Sequence, residues 1–434
     1  MIMSNLTNCN LLNRLKALQS SIRVALVGMG SMGRGLFYQS HITPGIECVV
    51  MADIKIERAI ACAEWMKREY RVVNNLEAMH KTIRQGWIAI CEDGNLAARC
   101  EWVDVLIEAS SSITAAAQFS ITALQHQKHL VLMNAEIDLI FGPYLLQLAR
   151  KNGVVYTSCD GDQHGVIKHL VDDLELWGFD LVMVGNIKGF LDRYSNPTKI
   201  IPEADKRHLD YKMATAYTDG TKLCIEMALL ANALGLSTHV TGMQGLPANH
   251  VQDVFRLFDF NALWKNKQAL VDYILGAEPG GGVFAIGYCK DPYQKSMLSY
   301  YKMGEGPFYL FYRPYHLCHI EAMACLAEAF LDGHPLLQPT YGFRANVYAY
   351  AKRDLLQGEK LDGIGGYTCY GLIDNCDHDE DSPGLPICLA ENVTLKRGIS
   401  KDERIFMSDI HFDPDRFDFA LYAMAVECSM DTES

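Results

Sequence analysis

The run Asp219-Gly220-Thr221-Lys222-Leu223-Cys224-Ile225-Glu226 sets a lysine between two acids, three and four residues away. On a helix that opens at Asp219, this spacing aligns all three along one face. A lysine held there can donate a proton or hydrogen bond to a carbonyl oxygen as it becomes an alkoxide, with Asp219 and Glu226 setting its charge. A capped helix start with a solvated ion pair, worth little energetically, gives the same pattern.

A second set of residues suits a dinucleotide. Gly28, Gly30 and Gly33 follow the apolar run Ile22 to Val27 in the spacing G-x-G-x-x-G, with Ser31 and Met32 between the last two. Gly28 permits a tight turn, Gly30 lets the backbone approach a pyrophosphate, and Gly33 lets the following helix pack on the strand. Phosphates would sit on the free N–H groups of Ser31, Met32 and Gly33 at the helix start. Asp53 ends the next apolar run, where a carboxylate accepts from the ribose hydroxyls and repels the extra phosphate of NADP. Lys55 and Arg58 close behind it blur that preference, so the expected cofactor is NAD or NADP.

Further candidates lie where strands end. Ser110, in Ala109-Ser110-Ser111-Ser112, would line the cofactor cleft or cap the next helix, and Asn134 would emerge near the nicotinamide. Asn186, Lys188, Arg313 and His316 are candidate substrate contacts. His316, Cys318 and His319 lack the usual ligand spacing and read as a helix start, so no metal site is assigned. Asp160 and Asp162 either cap a helix or hold a metal or a substrate hydroxyl.

The elements that must position these groups alternate. Strands are expected at Ile22 to Val27, Ile46 to Ala52, Trp87 to Cys91, Val103 to Glu108, His129 to Met133 and Val154 to Ser158, with helices between them. That order predicts an α/β Rossmann domain, a doubly wound parallel sheet of six strands. A leading helix precedes it. An α+β substrate region follows, with a helix from Val166 to Trp177 and another running through Ala233. From Tyr341 the composition shifts to short strands and turns. There Ala351 to Leu361 and Val393 to Asp402 echo each other: an apolar start, a basic pair, then a glycine turn.

Bulk properties narrow the partners. At 434 residues the chain exceeds one ordinary core. Its 49% hydrophobic and 21% charged residues describe a soluble globular protein. A net charge of -13 argues against a general nucleic-acid partner, which needs clustered Lys and Arg. The fourteen cysteines form no C-x-x-C pair and suit a reducing cytoplasm. No run is apolar enough for a signal peptide or a membrane span. The expected partner is a small-molecule substrate, and a homo-oligomer is expected.

The glycine fingerprint, Met133-Asn134-Ala135-Glu136, Asp219-Gly220-Thr221-Lys222, Arg313-Pro314-Tyr315-His316 and the basic-glycine turns near Gly358 and Gly398 together resemble the homoserine-dehydrogenase-like oxidoreductases. The resemblance is strongest to the subgroup with 1-deoxyxylulose-5-phosphate reductoisomerase-like proteins. It implies a leading helix in 1–20, a dinucleotide domain in 21–160, a substrate domain in 161–340 and a small β-rich SAF-like domain in 341–434. By this resemblance Lys222 matches a catalytic lysine. Homoserine dehydrogenases carry a lysine where Glu136 stands. The implied activity is NAD(P)-dependent oxidoreduction of a small polar hydroxy or oxo compound, phosphorylated sugars included. The alternatives are a reductoisomerase with a divalent metal at Asp160, Asp162 or Glu226, and a non-catalytic nucleotide-sensing or carbohydrate-binding protein.

Overall fold

The computed structural model describes residues 10–207, 209–376 and 383–430. The chain packs as two compact units, 1–162 with 317–338, and 163–316 with 339–434.

The first unit opens with α1 (Leu11–Lys16), capped by the Asn10 side chain, and β1 (Ile22–Val27). Then come α2 (Ser31–Ile42), β2 (Ile46–Ala52), α3 (Ile56–Trp65), β3 (Tyr70–Val72), α4 (Leu76–Arg84), β4 (Ile88–Cys91), α5 (Gly94–Ala98), β5 (Val105–Glu108), α6 (Thr114–Gln125), β6 (His129–Leu132), α7 (Ala135–Asn152) and β7 (Tyr156–Ser158). The strands pair in the order β3-β4-β2-β1-β5-β6-β7, every pairing parallel. Central strands such as β5, buried at every position, are continuous apolar runs because helices cover both faces. The sheet is the expected Rossmann type with seven strands instead of six. The extra strand, β3, is three residues at an edge, two of them exposed, so it leaves no apolar run to read. Helix α7 begins four residues earlier than its apolar stretch suggests, because Asn134 caps it and its first-turn acids Glu136 and Asp138 are buried. Asp138 is satisfied there by the hydroxyls of Tyr156 and Ser158 on β7.

Residues 317–338 belong to this unit and not to the substrate region that contains them in sequence. The helix Cys318–Asp332 packs on α2. At the crossing a Cβ on Gly35 would lie 2.5 Å from Cγ of His319. Beyond the helix, Leu337 O accepts from Ser158 N at 3.1 Å, and Gln338 Nε2 donates to Tyr156 O at 2.7 Å. The segment thereby covers polar groups that edge strand β7 would otherwise expose.

The second unit contains α8 (Gln163–Leu176), β8 (Asp180–Lys188), α9 (Ile201–Arg207), α10 (Tyr211–Thr218), α11 (Thr221–Leu234), β9 (Leu246–Pro247), α12 (Val254–Leu257), α13 (Phe260–Leu263), β10 (Leu270–Leu275), β11 (Val283–Tyr288), α14 (Pro292–Tyr300) and β12 (Phe308–Arg313). Its mixed sheet has the order β12-β11-β8-β10-β9, with β8, β10 and β9 parallel and β11 and β12 antiparallel. One face carries a core of Met183, Ile187, Phe258, Phe260, Trp264 and Phe284. The other is covered by α8 and α11.

A long antiparallel pair, β13 (Ala345–Ala351) and β14 (Cys369–Asn375), packs on α11 from the other side. Residues Thr221 to Ala233 are therefore all buried, which is why α11 is apolar nearly all round. Gly371 N donates to Thr221 Oγ1 at 2.8 Å, and Asn232 Oδ1 accepts from Arg344 N and Ala345 N. The C-terminal region is β-rich as expected, but it shares its core with α11 and is not a compact unit of its own. It adds β15 (Thr394–Leu395), β16 (Ile410–His411) and a final helix, Phe417–Met430. The two echoed segments pair with each other: Leu355 and Ile399 exchange both backbone hydrogen bonds, at 2.8 and 3.0 Å. No described helix is long and apolar enough to cross a membrane.

Candidate functional site

Strand β1 lies between β2 and β5, so the strand order reverses there and the loops after β1 and β5 meet. Gly28 turns with φ +94°, and a Cβ on it would lie 2.5 Å from Ser110 N. A Cβ on Gly33 would lie 1.9 Å from Gly28 O. Those two glycines are required by the protein's own packing. Gly30 is not: a Cβ there would meet no atom within 4 Å. It precedes α2, whose first turn has no side-chain cap and no acid, leaving the N–H groups of Ser31, Met32 and Gly33 suited to an anion. A glycine that packing does not require leaves open space in front of these N–H groups.

Asp53 lies at this turn, and both of its oxygens are engaged. Oδ2 accepts from Met29 N at 2.6 Å, and Oδ1 from Lys55 N at 2.8 Å. The carboxylate thus ties the end of β2 to the glycine turn, and its remaining lone pairs are what a ribose could use. Asn134 is likewise committed. Its amide donates to Ser110 O and Ser112 O at 2.9 and 3.0 Å and accepts from Ile137 N. It fixes the serine loop instead of standing free to orient a ring.

Below that loop is Glu108, unassigned from sequence because it closes an apolar strand. It is fully buried; Oε1 accepts from Ser110 N at 2.7 Å, and Oε2 has no partner among the described residues. Burial pushes its carboxyl up to about 8, against the Ser110 hydrogen bond that favours the charged form.

In the second unit, Asp219, Lys222 and Glu226 are all buried, exposed by 1%, 4% and 3%. They do not share one helix face. Gly220, left-handed at φ +87°, separates the C-cap of α10 at Asp219 from the start of α11 at Thr221. Lys222 and Glu226 remain one turn apart on α11. Asp219 Oδ1 accepts from Thr221 N at 2.9 Å, and its Oδ2 lies 2.9 Å from the Lys352 ammonium. Burial raises the Asp219 carboxyl above its ordinary value, opposed by Lys352 and Thr221.

Lys188 and Asn186 alternate along β8 with the core-facing Ile187, so both project to the α11 side. Burial holds the Lys188 ammonium below its ordinary value, against the pull of Glu226, Asp219 and Cys224. Its Nζ donates to Tyr217 O at 2.8 Å. Asn186 is 1% exposed, and neither its amide nitrogen nor its oxygen has a partner among the described residues. An orphaned buried amide of this kind is costly unless a ligand satisfies it. Its neighbour across β10 is Tyr273, whose hydroxyl takes a hydrogen bond from Arg193. The Cys224 thiol, pushed up to about 11 by burial, feels Arg193, Asp219 and Lys188 together, which makes these groups one cluster.

Neither Arg193 nor Lys352 stands out in the sequence: Arg193 sits in an irregular loop, and Lys352 is half of a repeated basic pair. Arg313 pairs with Val283, which pairs in turn with Asn186, so it stands in the same cross-strand row, and His316 meets the Gly281 turn whose N–H donates to Ile187 O at 2.9 Å. Arg313 stacks over Tyr315 at 4.6 Å, and His316 Nδ1 lies 2.6 Å from Gly281 O. Asp160 bonds its neighbour Gly161 N at 2.7 Å. Of the metal alternative's residues, Asp160 and Asp162 fall in the first unit and Glu226 in the second.

Residues 161–322 match the family described as oxidoreductase DRL, catalytic domain. That span holds Asn186, Lys188, Arg193, Asp219, Lys222 and Glu226, while Lys352 comes from outside it. No curated protein matches the chain. Among solved structures, homoserine dehydrogenase from Thiobacillus denitrificans is 14% identical with a TM-score of 0.45, over 78% of this chain and 84% of that one. The 1-deoxy-D-xylulose 5-phosphate reductoisomerase from Zymomonas mobilis, in complex with NADPH, is 15% identical with a TM-score of 0.33. That alignment covers 48% of this chain and 57% of the reductoisomerase, so the chain spans little more than half its length. Scyllo-inositol dehydrogenase from Lactobacillus casei, with NAD(H) and scyllo-inositol, is 11% identical with a TM-score of 0.33, over 62% of this chain and 66% of that one.

Proposed function

We propose that the chain is an NAD(P)-dependent oxidoreductase acting on a small polar hydroxy or oxo compound, phosphorylated sugars and sugar acids among the candidates. The observation that carries the cofactor is Gly30, open to solvent at the uncapped start of α2 beside the β1/β5 reversal. The first-turn N–H groups of α2 would bind the pyrophosphate, and Asp53 would accept from the ribose. When bound, the dinucleotide supplies or accepts the hydride.

The remaining chemistry falls to the α11 cluster. Lys222 polarises the substrate oxygen that gains negative charge in reduction, a role suited to a compact ammonium kept out of water. Lys188, its proton loosened by burial, delivers a proton to that oxygen and regains one through the polar groups beside it. Glu226, one turn from Lys222, keeps the local charge near balance. Asn186 offers both a donor and an acceptor to the substrate's hydroxyl or carbonyl.

The proposal includes a cytoplasmic location, supported by the thirteen described cysteines all being free. It also includes a homo-oligomer, supported by Tyr293, Tyr300 and Tyr301 standing 76%, 72% and 63% exposed at α14. The test is oxidation of NADH and NADPH with a panel of oxo acids and sugar phosphates, each with and without magnesium. Turnover without added metal supports the reading. Turnover strictly dependent on magnesium would favour a reductoisomerase, and dinucleotide binding with no turnover across the panel would favour a sensor.

A further inference from the structure

The two echoed C-terminal segments are related position by position. Gly358 N donates to Leu395 O at 2.9 Å, and in the reciprocal place Asp402 N donates to Ala351 O at 2.9 Å. Leu356 N bonds Glu359 Oε2 at 2.9 Å, just as Ser400 N bonds Glu403 Oε2 at 2.9 Å. Gly358 and Asp402 are thus equivalent, and both are left-handed, at φ +80° and +65°. Glycine takes this conformation freely; aspartate tolerates it at some cost. The second copy therefore keeps a strained side chain where the first has none, and strain of this kind points to what the side chain does.

The Asp402 carboxylate holds two phenols. Oδ2 accepts from Tyr194 OH and Oδ1 from Tyr370 OH, each at 2.8 Å. Arg193 adjoins Tyr194 in the chain and is seated over the Tyr370 ring at 5.3 Å. Its other contact is the Tyr273 hydroxyl, on the strand beside the orphaned Asn186 amide. No carboxylate pairs with Arg193 among the described residues. A guanidinium held by an aromatic face and a phenol, with its charge unanswered, is built to receive an anion.

We propose that Arg193 binds an anionic group of the substrate, a phosphate or a carboxylate, and that Asp402 is a positioning residue that sets it through Tyr194 and Tyr370. This rests on the α11 cluster being the substrate site. The recognition is built from both ends of the unit: a loop after β8 carries the cation, and the second repeat copy holds it in place.

The experiment is calorimetric titration of the full chain with inorganic phosphate and, separately, with acetate, which distinguishes the two anion chemistries. Arg193→Gln should weaken the tighter of these by about tenfold to a hundredfold, the range for a hydrogen bond to a charged group. Arg193→Lys should recover only part of it. Asp402→Gly matches the repeat partner and relieves the left-handed strain, so its melting temperature should hold or rise while anion affinity falls. Asp402→Asn, which tolerates the same backbone and still accepts from a phenol, should restore much of the affinity. A merely structural role would move stability and affinity together. Anion binding that Arg193→Gln leaves unchanged, or no binding by the wild type, overturns the Arg193 assignment. Unchanged affinity in Asp402→Gly overturns the positioning role. Anion binding lost with Arg193, in a protein that never turns over NADH or NADPH, would sink the oxidoreductase reading alone.

Discussion

The Lys352 ammonium lies 2.9 Å from the Asp219 carboxylate, and both side chains are shut away from solvent. Lys352 also donates to Ser195 O and Gly366 O, each at 2.8 Å. Removing one partner of such a pair leaves a buried charge without compensation, which costs about 3–5 kcal/mol. Lys352→Met should destabilise the second unit by that order in urea unfolding. Adding Asp219→Asn should return a good part of the loss, because the stranded carboxylate is then gone. A double variant no more stable than Lys352→Met would mean that the lysine's carbonyl contacts, and not the ion pair, carry the effect.

The three glycines after β1 make separable predictions. Gly33→Ala forces a Cβ to 1.9 Å from the Gly28 carbonyl oxygen, so it should unfold the turn or fail to express. Gly30→Ala meets no protein atom at a backbone φ of -73°, so its melting temperature should stay close to wild type. Its cost should fall on the ligand. Fluorescence titration should show NADH and NADPH binding weakened by about tenfold or more, as a methyl group holds the pyrophosphate off the helix N–H groups. Full affinity in Gly30→Ala would remove this turn as the phosphate site.

What the sequence disclosed follows how local each relationship is. Gly28, Gly30, Gly33 and Asp53 lie within one βαβ unit, so their spacing alone carries the turn, the close approach and the terminal acid. Lys222 and Glu226 are one helical turn apart and could be read the same way. Arg193, Lys352 and Asp402 could not, because what makes each of them matter is a partner far along the chain: Tyr370, Asp219 and Tyr194. The helix boundary at Asp219 is hidden for a different reason: Asp219, Lys222 and Glu226 fall at helical spacing although Gly220 separates α10 from α11. Edge strand β3 is not legible in the sequence because exposed residues leave no period. The echo between the C-terminal segments was visible, yet only the paired backbone shows that Asp402 replaces a glycine.

Glu108 predicts a pH dependence with a definite sign. Its carboxyl titrates near the ordinary value of about 4.3 in the unfolded chain and at about 8 in the folded one. Between those limits the folded protein keeps a proton that the unfolded chain has released, so stability falls as pH rises through this window and levels off above it. Glu108→Gln preserves an acceptor for Ser110 N and cannot ionise. Urea midpoints at pH 5, 7 and 9 should therefore fall less steeply for the variant. At pH 9 it should be the more stable protein, by an amount on the order of a few kcal/mol. Parallel curves for the two proteins would show that the folded protein ionises Glu108 as easily as the unfolded one does.

Lys222 divides an enzyme from a binding protein. If its ammonium polarises a carbonyl chiefly as hydride arrives, it contributes more to the transition state than to the ground state, so its loss should fall on turnover. Lys222→Met keeps the buried stem on α11 and removes the charge. The loss of such a donor costs on the order of a hundredfold to a thousandfold in kcat, roughly 3–4 kcal/mol. Dinucleotide affinity should hardly move, since the groups assigned to it are the α2 turn and Asp53. Lys222→Arg retains charge but not the compact ammonium, and at a fully packed helix position it should recover only part of the rate. Because Glu226 is left without its neighbour, the Met variant should be compared with Lys222→Met/Glu226→Gln in urea, so that a stability defect is not mistaken for a catalytic one. A folded Lys222→Met protein with near-normal kcat would return this lysine to the role of a packed core residue and leave Lys188 as the proton donor to be tested next.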